Sequence, residues 1–127
     1  MPFTNQLRID AFASALNVSA VRTFVGDNQL AITQSIPAAT TNQEILAAID
    51  VSEAKFVVLS SDVALTLKTN NSSSPSNTIA LAAGVPYVWG FGDNNALLLT
   101  VDVAKFFVTN ATAGAAALNI LALIDLP

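Results

Sequence analysis

The stretch Asp62–Trp89, DVALTLKTNNSSSPSNTIALAAGVPYVW, decides how the chain is read. Val63, Leu65 and Leu67 alternate with Asp62, Ala64, Thr66 and Lys68, the period-2 pattern of a half-buried strand. Residues 70–77, NNSSSPSN, are all turn formers and too few to be an interdomain linker. An apolar β pattern resumes at Thr78–Leu81, is broken by Gly84 and Pro86, and restarts at Tyr87–Trp89. The spacing predicts a hairpin-like framework with Val63, Leu65 and Leu67 in the core.

The same grammar extends in both directions. Upstream, Leu7, Ile9 and Ala11 alternate with Gln6, Arg8 and Asp10, Val21–Val25 ends at the turn Gly26-Asp27-Asn28, and Leu30, Ile32 and Ile36 alternate up to Pro37. Residues 41–50, TNQEILAAID, are ambiguous. Thr41 and Glu44 have capping-box spacing, but a helix there could hold only about two turns, so the segment reads as strand. KFVVLS at 55–60 is continuously apolar, as in a central strand covered on both faces. Downstream, Ala96–Val101, Ala104–Thr109 and Ala117–Ile124 read as three further strands, with a helix as the rival for the last. Eight to ten short strands at this spacing predict an all-β, single-domain protein. Its architecture would be an antiparallel sandwich or barrel of jelly-roll-like type over residues 1–127, with residues 1–6 as a candidate extended arm.

Composition narrows the function classes. The 127 residues are 53% hydrophobic and only 11% charged, against a norm of about 25% charged. So little charge on so much apolar surface is what a subunit of an assembly carries. Net charge is −4, and the five cations, Arg8, Arg22, Lys55, Lys68 and Lys105, form no basic stripe, which argues against nucleic acid as a partner. The N-terminus shows no signal-peptide pattern, and the terminal apolar run 111–124 is too short to span a bilayer, so no membrane role is expected. The sequons at Asn17, Asn70, Asn71 and Asn110 therefore read better as turn residues.

With neither His nor Cys, the commonest general base, the commonest metal ligand and the thiol nucleophile are all missing, so no catalytic residue, metal or cofactor is expected. Asp50 and Glu53 are the nearest carboxylate pair, and Asp93-Asn94-Asn95 offers oxygens to a cation; both read more simply as turns. Tyr87, Trp89 and Phe91 stand at i, i+2 and i+4. If their strand continues through Gly90 they share one face, either as packing or subunit-contact aromatics or as a platform for sugar rings.

Four features together, SSDVALTLKTN with its Ser-rich turn, TIALAAGVPYVW at 78–89, FFVTN at 106–110 and a closing apolar strand ending IDLP, resemble small all-β virion proteins of tailed bacteriophages. In that group a TIxLxAGxPxxW-like segment precedes an LYVTN-like one, and Phe107 stands here where Tyr is often seen. The resemblance spans about residues 55–127 and implies a non-enzymatic structural protein. The member it points to first is a capsid decoration (cement) protein. Such a protein would be made in the host cytoplasm, sit on the virion surface as a homo-oligomer, a trimer by preference, and bind the major capsid protein. A head–tail or tail structural protein is the alternative, and a carbohydrate- or receptor-binding module a further one. Residues 1–6 or the tail after Ile124 would be arms that add a strand to a neighbour's sheet.

Overall fold

The computed structural model describes residues 2–12 and 17–125. They form ten strands: β1 (Phe3–Phe12), β2 (Asn17–Gly26), β3 (Asn28–Ile36), β4 (Thr40–Ile49), β5 (Ala54–Ser61), β6 (Leu65–Thr69), β7 (Thr78–Leu81), β8 (Tyr87–Gly90), β9 (Val103–Asn110) and β10 (Ala116–Ile124). A single 3-10 turn at Val51–Glu53 is the only helical element among the described residues. Two four-stranded antiparallel sheets, ordered β3-β10-β5-β8 and β4-β9-β6-β7, face each other, and β1-β2 is a separate hairpin. Successive strands alternate between the sheets except within β6-β7, which gives the two interleaved Greek keys of a jelly roll.

The alternation read from the sequence sets which side chains meet. Leu118, Ile120 and Ala122 from β10, Val57 and Leu59 from β5, Phe106 and Val108 from β9, and Leu67 from β6 are almost completely buried between the sheets. Leu65 and Leu67 pair in register with Leu81 and Ile79, so β6 and β7 do form the expected hairpin. It is shorter than the pattern suggested. β6 starts at Leu65, Val63 is only half-buried in the bend before it, and Asp62 accepts a hydrogen bond from the Ala117 amide at 2.7 Å.

Residues 40–49 are strand, as read. Asn42 at φ 52° lies in the left-handed region, which no helix start at Thr41 could tolerate. Ala117–Ile124 is likewise strand, paired on both sides by β3 and β5.

One expected strand is absent. Residues 96–101 belong to a long connection, 91–102, that lies against the short edge strands β7 and β8 without joining either ladder. Side chains do the holding instead. The Trp89 indole N–H donates to the Asn95 carbonyl at 3.0 Å, the Leu98 amide donates to the Tyr87 hydroxyl at 3.0 Å, and the Asn77 side chain exchanges two hydrogen bonds with Thr100. Leu99 fills the core from this segment, and that burial is what made its sequence look like a strand.

Two Asn side chains lock the ends of the sandwich. Asn70, at φ 68°, accepts from the Ala104 amide and donates to the Asp102 carbonyl, both at 2.8 Å. Asn110 is fully buried where the β3–β4 and β9–β10 corners meet. Its amide donates to the carbonyls of Ile36, Pro37 and Gly114, and its oxygen accepts from Thr112 N–H and O–H.

Candidate functional site at the docked hairpin

The first two strands do not enter the sandwich. β1 and β2 pair over ten registered positions, Phe3 opposite Gly26 to Phe12 opposite Asn17. One face of this ribbon, bearing Asn5, Leu7, Arg22 and Phe24, lies on the outer surface of the β3-β10-β5-β8 sheet. Gln29, Leu123, Phe56 and Gly90 form a line across that sheet in register. The ribbon crosses it along this line: Asn5 donates to Gln29 at 3.3 Å at one edge, Phe24 stacks on Phe56 midway, and Arg22 grips the segment after Gly90 at the other. The expected free arm at residues 1–6 is thus corrected. Residues 3–6 are paired to 23–26, and Met1 lies outside the described residues.

Phe24 is the anchor. Its ring stacks on Phe56 at 4.8 Å between centroids and 18° between planes, and the Arg22 guanidinium lies 4.8 Å above it. The two rings and Leu123 make a second small core, flanked by Leu7, Val58, Val88 and Leu121. Glycine makes the approach possible. A Cβ on Gly90 would overlap the Phe24 ring, and one on Gly26 would lie 2.8 Å from Leu123 Cγ. The continuous apolar run at 55–60 thus has a cause on each face: Val57 and Leu59 point into the sandwich, and Phe56 is covered by the hairpin.

The latch is polar at its far end. Arg22 forms an ion pair with Asp93 and donates to the Phe91 carbonyl at 2.8 Å, while the other Asp93 oxygen accepts from the Gly90 amide at 2.8 Å. That Gly90 N–H bond first, and then Arg22, hold the Asp93 carboxyl below the usual carboxylate range, against an opposing push from partial burial. A depressed carboxylate contributes stability above its unfolded pKa and loses it as pH falls through the lower folded value. Asp93→Asn should therefore be less stable than the wild type at pH 7, and the gap in urea midpoint should narrow between pH 7 and pH 2.5. A gap unchanged between the two pH values would remove Asp93 from the latch.

The sequence-predicted aromatics part company here. Tyr87 and Trp89 point inward, pack against the main core and hold the 91–102 connection by their polar tips. Burial, the larger influence, pushes the Tyr87 hydroxyl above its ordinary pKa. Phe91 is not on their face. The strand ends at Gly90, and Phe91 sits in the following turn, exposed, with the Lys55 ammonium 4.2 Å from its ring centre. Asp50 caps the 3-10 turn through Ser52, and Asp93 belongs to the latch. Among the described residues no three metal-ligating side chains come together.

What the sequence did not flag is the hairpin as a unit. The available signal was Phe24 on the polar-alternating stretch before Gly26, with no partner nearby in sequence. The comparisons with known proteins found no matching family model, no similar curated protein and no matching solved structure.

Proposed function

We propose that the chain is a structural protein of a tailed-phage virion, acting as a capsid decoration (cement) protein that binds the major capsid protein shell. One observation carries the structural part of this reading. A rigid jelly-roll body latches a two-stranded ribbon across one sheet and sends its far end past the sheet edge, with apolar side chains open to solvent. Four parallel-lying strands about 4.8 Å apart span about 14 Å, whereas a ten-residue strand reaches about 33 Å. Roughly half the ribbon therefore extends beyond the body. A two-stranded ribbon alone is marginal in water, so an arm of this kind is built to be covered by a partner.

The charge distribution supports the same reading. Each of the five cations is engaged within the chain: Arg8 with Asp10, Arg22 with Asp93, Lys55 with Asp125, Lys105 with Glu44, and Lys68 with the Ser72 carbonyl. With every cation engaged and an excess of four carboxylates, the surface has no free basic patch to steer an acidic partner. Jelly rolls also serve as lectin domains and enzymes, so the fold does not choose the function. The phage identity rests on the resemblance of residues 55–127. The carbohydrate-binding alternative drew on a three-aromatic face, and that face is not formed.

Copy number tests the reading. Quantitative gels of purified virions should show hundreds of copies per head. A dozen or fewer would move the protein to the neck or tail, and its absence from virions would overturn the proposal.

A further inference from the structure

Resting on the assembly reading above, we infer that the projecting half of the hairpin is an exchange arm that docks on the outer β3-β10-β5-β8 face of a second copy of this chain. Four of the nine large hydrophobic side chains that stand exposed among the described residues are on the hairpin: Ile9 and Val21 on its projecting half, and Phe3 and Val25 at its docked end. Ile9 lies on the same ribbon face as Leu7 and Phe24, two residues farther out, opposite Ala20. The face that docks on the chain's own sheet thus continues past the Arg22–Asp93 latch at Ile9 and Ala20, where its own body no longer lies beneath it.

The body offers the matching surface. Ala31, Leu121, Val58 and Val88 form a registered apolar line across the same outer face, one row along from the line the hairpin covers. Ala31 is exposed and the other three are only half-buried, on the flank of the Phe24–Phe56–Leu123 cluster. A second ribbon laid beside the first would finish their burial by the chemistry that already holds the first. It could also pair with the first ribbon's open edge, whose backbone groups lack a strand partner among the described elements.

Charge favours a copy over a charged partner. The projecting half carries Arg8 and Asp10, bonded to each other at 2.8 Å, and so has no net charge. The receiving line is uncharged. An acidic or basic partner would find no complement here, and an apolar strip with a β-edge does. Because arm and strip are different surfaces, the arms can be exchanged reciprocally in a two-fold dimer or passed head-to-tail around a closed ring such as a trimer.

The test uses the full chain. Light scattering of the wild type should give a multiple of 13.2 kDa, and Ile9→Asp with Ala20→Asp, the facing pair on the docking face, should return it to monomer. The thermal midpoint of the body should be kept, since neither side chain is buried in it. The chain has no cysteine, so introduced thiols report cleanly. Ile9→Cys on one chain mixed with Ser60→Cys on another should form a disulfide-linked dimer on oxidation, because Ser60 sits in the row beyond Val58 on the receiving face. A disulfide needs Cα atoms within about 7 Å, so the mixed product reports arm docking on that face. A wild type that is strictly monomeric at about 100 μM, or an oligomer that survives the double Asp variant, would overturn the exchange arm. A monomer still present in hundreds of copies per head would overturn only the second-copy occupant, with the arm then on the shell. An arm-exchanged oligomer missing from virions would overturn the phage reading and leave the arm standing.

Discussion

Phe24→Ala is expected to free the hairpin while leaving the jelly roll folded. The ring is 7% exposed, stacked on Phe56 and backed by Gly90, and removing a buried Phe side chain typically costs about 3–5 kcal/mol. The loss has a ceiling. Once docking free energy is gone, the hairpin detaches and the sandwich core, which does not include Phe24, stays intact. Thermal melting would then understate the effect, and proteolysis would show it. About 3 kcal/mol shifts the undocking equilibrium roughly a hundredfold. When opening is fast relative to cleavage, the cutting rate follows that shift. Trypsin has a site at Arg22, whose guanidinium is tied to Asp93 and Phe91 in the docked state. Cleavage there should accelerate roughly a hundredfold in Phe24→Ala and leave a resistant body beginning at Thr23. Gly90→Ala should do the same with every aromatic retained, because its Cβ would occupy the space of the Phe24 ring. A cutting rate within a factor of three of wild type in both variants would show that Phe24 does not hold the ribbon.

That prediction could not have been written from the sequence, although the fold largely could. Alternation over Leu65 and Leu67, over Leu30 and Ile32 and over 103–110 is a direct record of one face turned to a core, so strands and core side chains were legible. Two kinds of information were not. The segment 96–101 has an apolar pattern because Leu97 and Leu99 pack inward, but its backbone amides at Leu98 and Thr100 bond the Tyr87 and Asn77 side chains, and periodicity is blind to that choice of partner. The hairpin's placement depends on Phe24 meeting Phe56 and Gly90, residues 32 and 66 positions away, and no local pattern encodes a contact of that range. The aromatic triplet failed for a third reason: whether Phe91 shares a face with Tyr87 and Trp89 turns on whether a strand runs one residue further, and boundaries are where pattern reading is weakest.

Asn110 shows the same limit and carries the second large effect. Its Asn-Ala-Thr context marks a turn, and Thr112 does fold back onto its side-chain oxygen. The sequence does not say that the residue is fully buried, with its amide shared among three carbonyls from two corners. Asn110→Ala would leave buried polar groups unpaired, at about 1–3 kcal/mol each, and should lower the thermal midpoint by roughly 10 °C. Asn110→Asp should be worse at pH 7, although it changes one atom. A carboxylate donates nothing, and its charge would face three carbonyl oxygens in a site without a cation. The penalty should relax in acid. The introduced carboxyl is stabilised in its neutral form by folding, so its folded pKa lies above the unfolded value of about 3.9. Stability is then held below that unfolded value and lost as pH rises through the folded one. Wild type runs the other way through Asp93, weakening as pH falls. In urea unfolding the Asn110→Asp deficit should therefore shrink from pH 7 to pH 4, while the Asn110→Ala deficit stays level because alanine does not titrate. Equal deficits for the two variants at both pH values would mean that the Asn110 amide hydrogens are not what joins the corners.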